Sequence, residues 1–234
     1  RIEGMIFLAT SICDMELGGL EPRDLAEEPD VAFFTLPHGV SHQYVPQFLA
    51  AGIRCIDFSA DYRLDDLVTY ERWYGKHGDP ENVGAAAYGI PELFREEVTQ
   101  CRLLANPGCY PTSVLIPLAP LARAGILDPA EIVVDSVSGV SGRGNKPNPG
   151  SMYCECNENV YAYKVGCHRH EPEMEHGLSL LGTEGESVSF TPHLVPMDRG
   201  ILSTLHVHLK GAVAEEELVT TLLDAYDEEP FVRV

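Results

Sequence analysis

Positive charge is scarce in this sequence: 16 Lys and Arg stand against 36 Asp and Glu, a formal net charge of −20 over 234 residues. Nucleic acid and anionic membrane both select basic surfaces, so neither is expected as a partner. An anionic small molecule would need a local cluster of Arg, Lys and N–H groups working against the global field. The acidic residues are spread through helix-like segments such as Glu21 to Asp30 and Glu215 to Glu217, which read as solvated faces. Long apolar runs are also missing. The longest candidate, Val114 to Ala122, is interrupted by Pro117 and Pro120, and no segment reads as membrane-spanning. The start of the chain lacks the pattern of a secretory signal. The seven cysteines are odd in number and lack framework spacing, which fits free thiols in a reducing compartment, and the cytoplasm is the expected location. There is no internal repeat and no low-complexity tract.

What is present is an ordinary globular composition, 44% hydrophobic and 22% charged. The first half alternates short apolar strands with helical or loop segments: Val31 to Leu36, then Val40 to Ala51, then Ile53 to Phe58. Such alternation predicts a parallel sheet with crossovers. Ligands of open parallel sheets bind at the carboxyl ends of strands, so the loops Leu36 to Ser41 and Ser59 to Arg63 are candidate cofactor loops, or else ordinary surface turns. Farther on, a helix is predicted over Thr112 to Ala124, ending at Gly125, and strands over 132–137, 187–191 and 203–210. In the last strand Leu205, Val207 and Leu209 alternate with Thr204, His206, His208 and Lys210, the pattern of a sheet covered on one face.

Three segments carry chemistry. In Asn106-Pro107-Gly108-Cys109-Tyr110-Pro111-Thr112-Ser113 a cysteine sits in a tight turn before a helix-like run. Helix-start N–H groups and the helix dipole favour thiolate, the reactive form, although a buried structural cysteine is an equal alternative on local sequence alone. The loop Ser138-Gly139-Val140-Ser141-Gly142-Arg143-Gly144-Asn145-Lys146 holds three glycines, two serines and two cations, enough to offer N–H groups and charge to an anion, or simply a flexible connection. Tyr163 to Glu173 gathers His168, Arg169, His170, Glu171 and Glu173. A metal site using Cys167, His168, His170 and Glu173 lacks any paired Cys-x-x-Cys or His-Glu-x-x-His, so no metal is expected. A charged surface turn and an acid–base histidine serving Cys109 both remain open.

Taken together, Asn106 to Thr112, Ser138 to Gly142 and His168 to Glu173 closely resemble the N-acetyl-gamma-glutamyl-phosphate reductase family, NADP-dependent enzymes of arginine biosynthesis related to aspartate-semialdehyde dehydrogenase. Leu36 to Gly39, Asp57 to Leu64, Tyr88 to Leu93 and Phe190 to Gly200 are similar to that family as well, in order from about Val31 to Val234. The resemblance implies an α/β fold: a truncated Rossmann-type domain over 1–105, then an α+β catalytic and dimerisation domain over 106–234 with a mostly antiparallel sheet. It implies Cys109 as nucleophile and His168 as acid–base group. Pro37, His38, Gly39, Ser138, Gly139 and Gly142 would lie by the NADP cofactor. Asn106, Arg169, His170 and Arg199 would bind substrate, with Lys146 as another cation. A homo-oligomer, dimer or tetramer, is expected. Nothing before Val31 matches: Gly18-Gly19 lacks both the spacing of a pyrophosphate turn and a strand before it. The chain also stops at Phe231 to Val234 in what reads as mid-strand. The expectation is an internal piece that binds NADPH poorly. Alternatives are an aminoadipyl-phosphate reductase of lysine synthesis, a catalytically incomplete fragment, and a cofactor-free cysteine hydrolase using Cys109 and His168.

Overall fold

The computed structural model describes residues 5–9 by backbone alone, and residues 29–128, 132–144, 148–183, 185 and 187–234. The chain divides into two compact units, residues 1–108 and 109–234. The cysteine motif is cut by that division, with Asn106 to Gly108 closing the first unit and Cys109 opening the second.

The first unit is built on a five-stranded sheet of β1 (Met5–Ala9), β2 (Val31–Thr35), β3 (Arg54–Asp57), β4 (Ala87–Tyr88) and β5 (Leu103–Ala105), in the order β1-β2-β3-β5-β4. Every pairing is parallel. α1 (Val45–Ala50) lies between β2 and β3 in sequence, and α2 (Leu67–Tyr74) and α3 (Pro91–Gln100) precede β5. The expected strands at 31–36 and 53–58 are each trimmed at their ends. β1 is a correction, because a strand stands where the sequence reading found none. Met5-Ile6-Phe7-Leu8-Ala9 is a short continuous apolar run, which periodicity cannot assign to strand or helix. The Gly18-Gly19 segment lies outside the described residues. The core is formed by Ala32, Phe34, Val45, Phe48, Ile53, Cys55, Tyr62, Leu103 and Ala105. Phe34 meets Phe48 edge to face, with ring centroids 5.2 Å apart.

The second unit carries four strands, β6 (Ile132–Ser138), β7 (Tyr161–Ala162), β8 (Val188–Leu194) and β9 (Ile201–His206), in the order β7-β8-β6-β9. β6 pairs antiparallel with β9, and β7 antiparallel with β8, around a parallel β6–β8 centre. Alternation is strict: Ile132, Val134, Ser136 and Ser138 are buried, while Val133, Asp135 and Val137 are less so. In β9 the register puts Leu202, Thr204 and His206 beside that second, open side, and Leu202 is 66% exposed. The predicted strand at 203–210 therefore has its faces in the expected sense, but it starts two residues earlier and ends at His206.

Two helices cover the buried side, α4 (Cys109–Arg123) and α6 (Glu171–Leu180), while α7 (Glu215–Tyr226) packs on α4 and α5 (Tyr153–Cys156) is a single turn elsewhere. α4 begins at Cys109 itself, three residues before the predicted start, and accommodates Pro111 in its first turn. It also runs through Pro117 and Pro120 before Gly125, at φ +69°, turns the chain away. α4 is tied to the sheet by a hydroxyl chain, Ser113 Oγ to Ser203 Oγ at 2.8 Å and Ser203 Oγ to Ser136 Oγ at 2.7 Å. Tyr226 OH of α7 donates to the Ile116 carbonyl.

The α4–α6 contact is closest at Gly177, where a Cβ would stand 2.3 Å from Leu115 Cδ1, and Leu115 is fully buried. Gly177→Ala is expected to destabilise the protein by about 1–3 kcal/mol through overpacking. Urea denaturation should show Leu115→Val recovering part of that loss in the double variant, with coupling of about 0.5 kcal/mol or more. Strictly additive effects would mean that the two residues do not share this space.

Candidate active site

Cys109 is exposed at the first position of α4, whereas Cys55 is buried in the first unit's core. Burial pushes the Cys55 thiol up to about 12, so that cysteine is structural. The residue after Cys109 organises the second unit's site. Tyr110 is buried, and its ring meets His168 at 5.6 Å, His170 at 5.9 Å and Phe190 of β8 at 4.9 Å, all edge to face. Its hydroxyl lies 2.8 Å from that of Tyr163. Burial, the largest cause, holds both phenols protonated by raising their pKa values. The start of α4 and the turn bearing His168 are thus packed together through one aromatic side chain.

His168 is 8% exposed and boxed by Tyr110, Tyr163, His170 and Phe190. Burial first, then the charges of His170, Lys164 and Arg169, lower its pKa to about 3, against a smaller opposing effect of Glu173. Its Nδ1 accepts the His170 N–H at 3.1 Å. A neutral imidazole whose Nδ1 accepts must carry its proton on Nε2. His170 stands beside it with Nε2 3.9 Å from the buried Glu173 carboxylate. Arg169 is half-buried, and its charge reaches both His168 and Lys164.

Three N–H groups of the Ser138–Gly144 loop are engaged within the fold: Gly139 donates to the Gly200 carbonyl at 3.0 Å, Val140 to Met197 at 2.9 Å and Ser141 to Asp198 at 3.1 Å. Gly139 is needed because a Cβ there would stand 2.7 Å from the Asp198 carbonyl oxygen, in backbone that cannot yield. Gly142 lies against Ser138, whose buried Oγ would be 3.2 Å from an added Cβ and donates to the Gly139 carbonyl. Val140–Arg143 forms a 3₁₀ turn, and residues 139–141 bond to carbonyls of the 197–200 segment. Lys146 lies outside the described residues. Arg199 is 85% exposed beside Asp198, at 3.9 Å.

In the first unit the Pro37-His38-Gly39 loop follows β2. Gly39 adopts φ +79° and has nothing within 4 Å of where a Cβ would stand, so glycine is required there by its backbone conformation rather than by packing. The loop is fixed from beneath by Asp61, which is fully buried and accepts the Gly39 N–H at 2.7 Å, the His42 N–H at 3.2 Å and the Tyr70 hydroxyl at 2.9 Å. His38 Nδ1 accepts the Ala60 N–H at 2.9 Å. Asn106 spends its backbone on structure, donating to the Asp57 carbonyl and accepting Arg63 Nε at 2.8 Å. Sequence reasoning flagged the 59–63 loop but missed the supporting role of Asp61. It also missed Tyr163, whose meeting with Tyr110 spans 53 positions and leaves no local signal.

Residues 109–234 match the family model described as semialdehyde dehydrogenase, dimerisation domain, and residues 7–101 match semialdehyde dehydrogenase, NAD binding domain. The chain is 48% identical over 235 residues to the N-acetyl-gamma-glutamyl-phosphate reductase of Pelobacter propionicus, covering 100% of this chain and 68% of that protein. The chain belongs to the N-acetyl-gamma-glutamyl-phosphate reductase family. A reductase of the same name from a Geobacter species is 50% identical over 223 residues, and this chain spans 64% of its length. Among solved structures, an aspartate semialdehyde dehydrogenase from Francisella tularensis shares the fold at TM-score 0.64 and 13% identity, covering 84% of this chain and 63% of that one. One from Vibrio cholerae does so at TM-score 0.63 and 19% identity, covering 84% and 61%. The family match begins at residue 7, inside β1 and well before Val31, where the motifs first became legible.

The His168 environment makes a thermodynamic prediction. Its folded pKa lies below the ordinary value, so between about pH 6.5 and 3 the unfolded chain binds a proton that the folded chain refuses. The stabilisation from neutral His168 is complete above that window and is lost as pH falls through it, by at most about 1.4 kcal/mol per pH unit. His168→Asn keeps an acceptor for the His170 N–H and cannot titrate. Urea midpoints should show the gap between wild type and variant closing from pH 7 to pH 4.5. A gap independent of pH would exclude a buried neutral His168.

Proposed function

We propose that the protein reduces N-acetyl-gamma-glutamyl phosphate to the semialdehyde with NADPH, in arginine biosynthesis in the cytoplasm. The observation that carries the reading is an exposed cysteine at the first position of a 15-residue helix, joined through Tyr110 to a buried neutral histidine, in a chain of this family. Cys109 is the nucleophile: its Sγ attacks the acyl carbon, the bond from that carbon to the phosphate oxygen breaks, and the acyl group remains as a thioester. NADPH, when bound, supplies the hydride that takes the acyl group to the aldehyde level. His168 presents Nε2–H as a donor to the acyl oxygen while it bears negative charge, and the Cys109 N–H at the helix start is a second donor. Release of the aldehyde returns Cys109 as thiolate.

The open backbone at Gly39 fits a dinucleotide, and Pro37, His38 and Gly39 would hold it in the first unit. Ser138, Gly139 and Gly142 serve by shaping their loop, since the Gly139 N–H is spent on the Gly200 carbonyl. Asn106, Arg169, His170 and Arg199 are the proposed substrate contacts. In the complete protein, Cys109→Ser should cut phosphate-dependent NADP reduction with N-acetylglutamate semialdehyde about a thousandfold or more, while leaving NADPH binding intact. Near-normal turnover would reject the nucleophile.

We further propose that two copies pair through the open side of the β6–β8–β9 sheet, which carries Val133, Val137 and the exposed Leu202. Leu202→Glu should shift sedimentation toward the monomer at micromolar concentration. An unchanged oligomer would place the interface elsewhere.

A further inference from the structure

β8 is paired with a strand along one side and with side chains along much of the other. Ile132 of β6 donates its N–H to the Ser187 carbonyl at 2.9 Å, so in this parallel ladder the odd-numbered residues of β8 turn their backbone groups toward β6. Val188, Phe190, Pro192 and Leu194 turn theirs outward. β7 reaches that outer edge only at its end, pairing with His193 and Leu194, and Tyr163 donates to the Pro192 carbonyl at 3.0 Å. Among the described residues no strand pairs with the edge before it. Pro192 has no N–H, which leaves Val188 and Phe190 as outward donors. Both residues are buried, so those donors need acceptors.

α6 packs on β8 and supplies them. The Glu175 carboxylate accepts the Val188 N–H at 3.2 Å, and the Glu171 carboxylate accepts that of Phe190. The spacing fits, because four residues of helix advance about 6 Å and two residues of strand about 6.6 Å. Burial first, then the Glu175 charge, raise the Glu171 pKa, and the Phe190 N–H opposes them. Glu171 also donates its own N–H to the His168 carbonyl at 3.0 Å. It therefore closes a ring of contacts: its backbone holds His168, its side chain holds the backbone of Phe190, and the Phe190 ring meets the His168 imidazole edge to face at 5.2 Å. Neither carboxylate is among the charges that act on His168.

We propose that Glu171 and Glu175 are positioning residues for His168, clamping α6 along the outer edge of β8 and so holding Phe190 in the register that walls the imidazole. The bearing of this clamp on turnover rests on the acyl-phosphate reading above; its action on His168 does not. The clamp needs an acceptor rather than a charge. Glutamine can serve through its amide oxygen, and alanine cannot.

The test reads amide hydrogen exchange residue by residue, and the titration of His168, by NMR on the intact protein. In the wild type Val188 and Phe190 should exchange within about tenfold of Ser189 and Thr191, whose N–H groups face β6. Glu171→Ala should speed the Phe190 amide about tenfold or more relative to Thr191, and Glu175→Ala the Val188 amide relative to Ser189, while the two glutamine variants keep both ratios. Glu171→Ala should also raise the His168 titration by about one pH unit or more as the imidazole gains water. Glu171→Gln should not, although it removes the same charge. Unprotected Val188 and Phe190 amides in the wild type overturn the proposal, even if the alanine variants do not fold. An unchanged His168 titration in folded Glu171→Ala overturns it too, as does a glutamine variant that behaves like alanine. If these measurements come out as expected but the complete protein shows no reductase turnover, the positioning of His168 stands and the acyl-phosphate reading fails.

Discussion

The second unit depends on one buried ring. Tyr110 follows the exposed Cys109 and faces inward because α4 needs that side for its core, so the residue that anchors the helix start also fixes where the thiol emerges. The same ring carries His168 and His170 on its edges, Phe190 of β8 behind them, and a hydroxyl partner in Tyr163. Each contact is modest, about 0.5–1.5 kcal/mol for an aromatic pair beyond its burial. Their importance is geometric, because three stretches of the chain, at 110, 163–170 and 190, share one side chain and cannot shift independently. A loss of precision at this ring would reach the thiol and the imidazole together.

In the first unit the same task falls to a carboxylate. Asp61 is fully buried yet saturated by two backbone N–H groups and a phenol, and its carbonyl lies 2.8 Å from His77 Nε2. A buried carboxylate is tolerable only when its oxygens are satisfied in this way, so the loop at Gly39 is held in the form that satisfies them.

Much of this was legible in the sequence, for reasons that differ by residue. The parallel first sheet, the alternation of β9 and the end of α4 at Gly125 follow from local chemistry: apolar runs between turns, period two, and a glycine able to take φ +69°. Cys109 and His168 were legible as candidates because motif residues gather around them. Other features were hidden by what local sequence omits. Glycines and serines at 138–142 suggested free N–H donors, yet whether a donor is free depends on a segment about 60 residues away, and the N–H groups of 139–141 bond to carbonyls of 197–200. Met5 to Ala9 carries no alternation to betray a strand buried in a parallel sheet. Arg143 was visible only as one cation among several, since its packing over Tyr161 and Tyr163 leaves no local signal.

The tautomer of His168 narrows what acid–base service it can give. With Nδ1 occupied by the His170 N–H, the neutral ring has its one proton on Nε2 and no free lone pair, so in this arrangement it donates and does not abstract. To act as a base it would have to take a second proton, which burial and the neighbouring cations resist down to about pH 3. On the proposed reading that is sufficient, because thiolate attack, loss of phosphate and return of the thiolate move no proton through the imidazole. The one proton the overall reduction consumes goes to the departing phosphate.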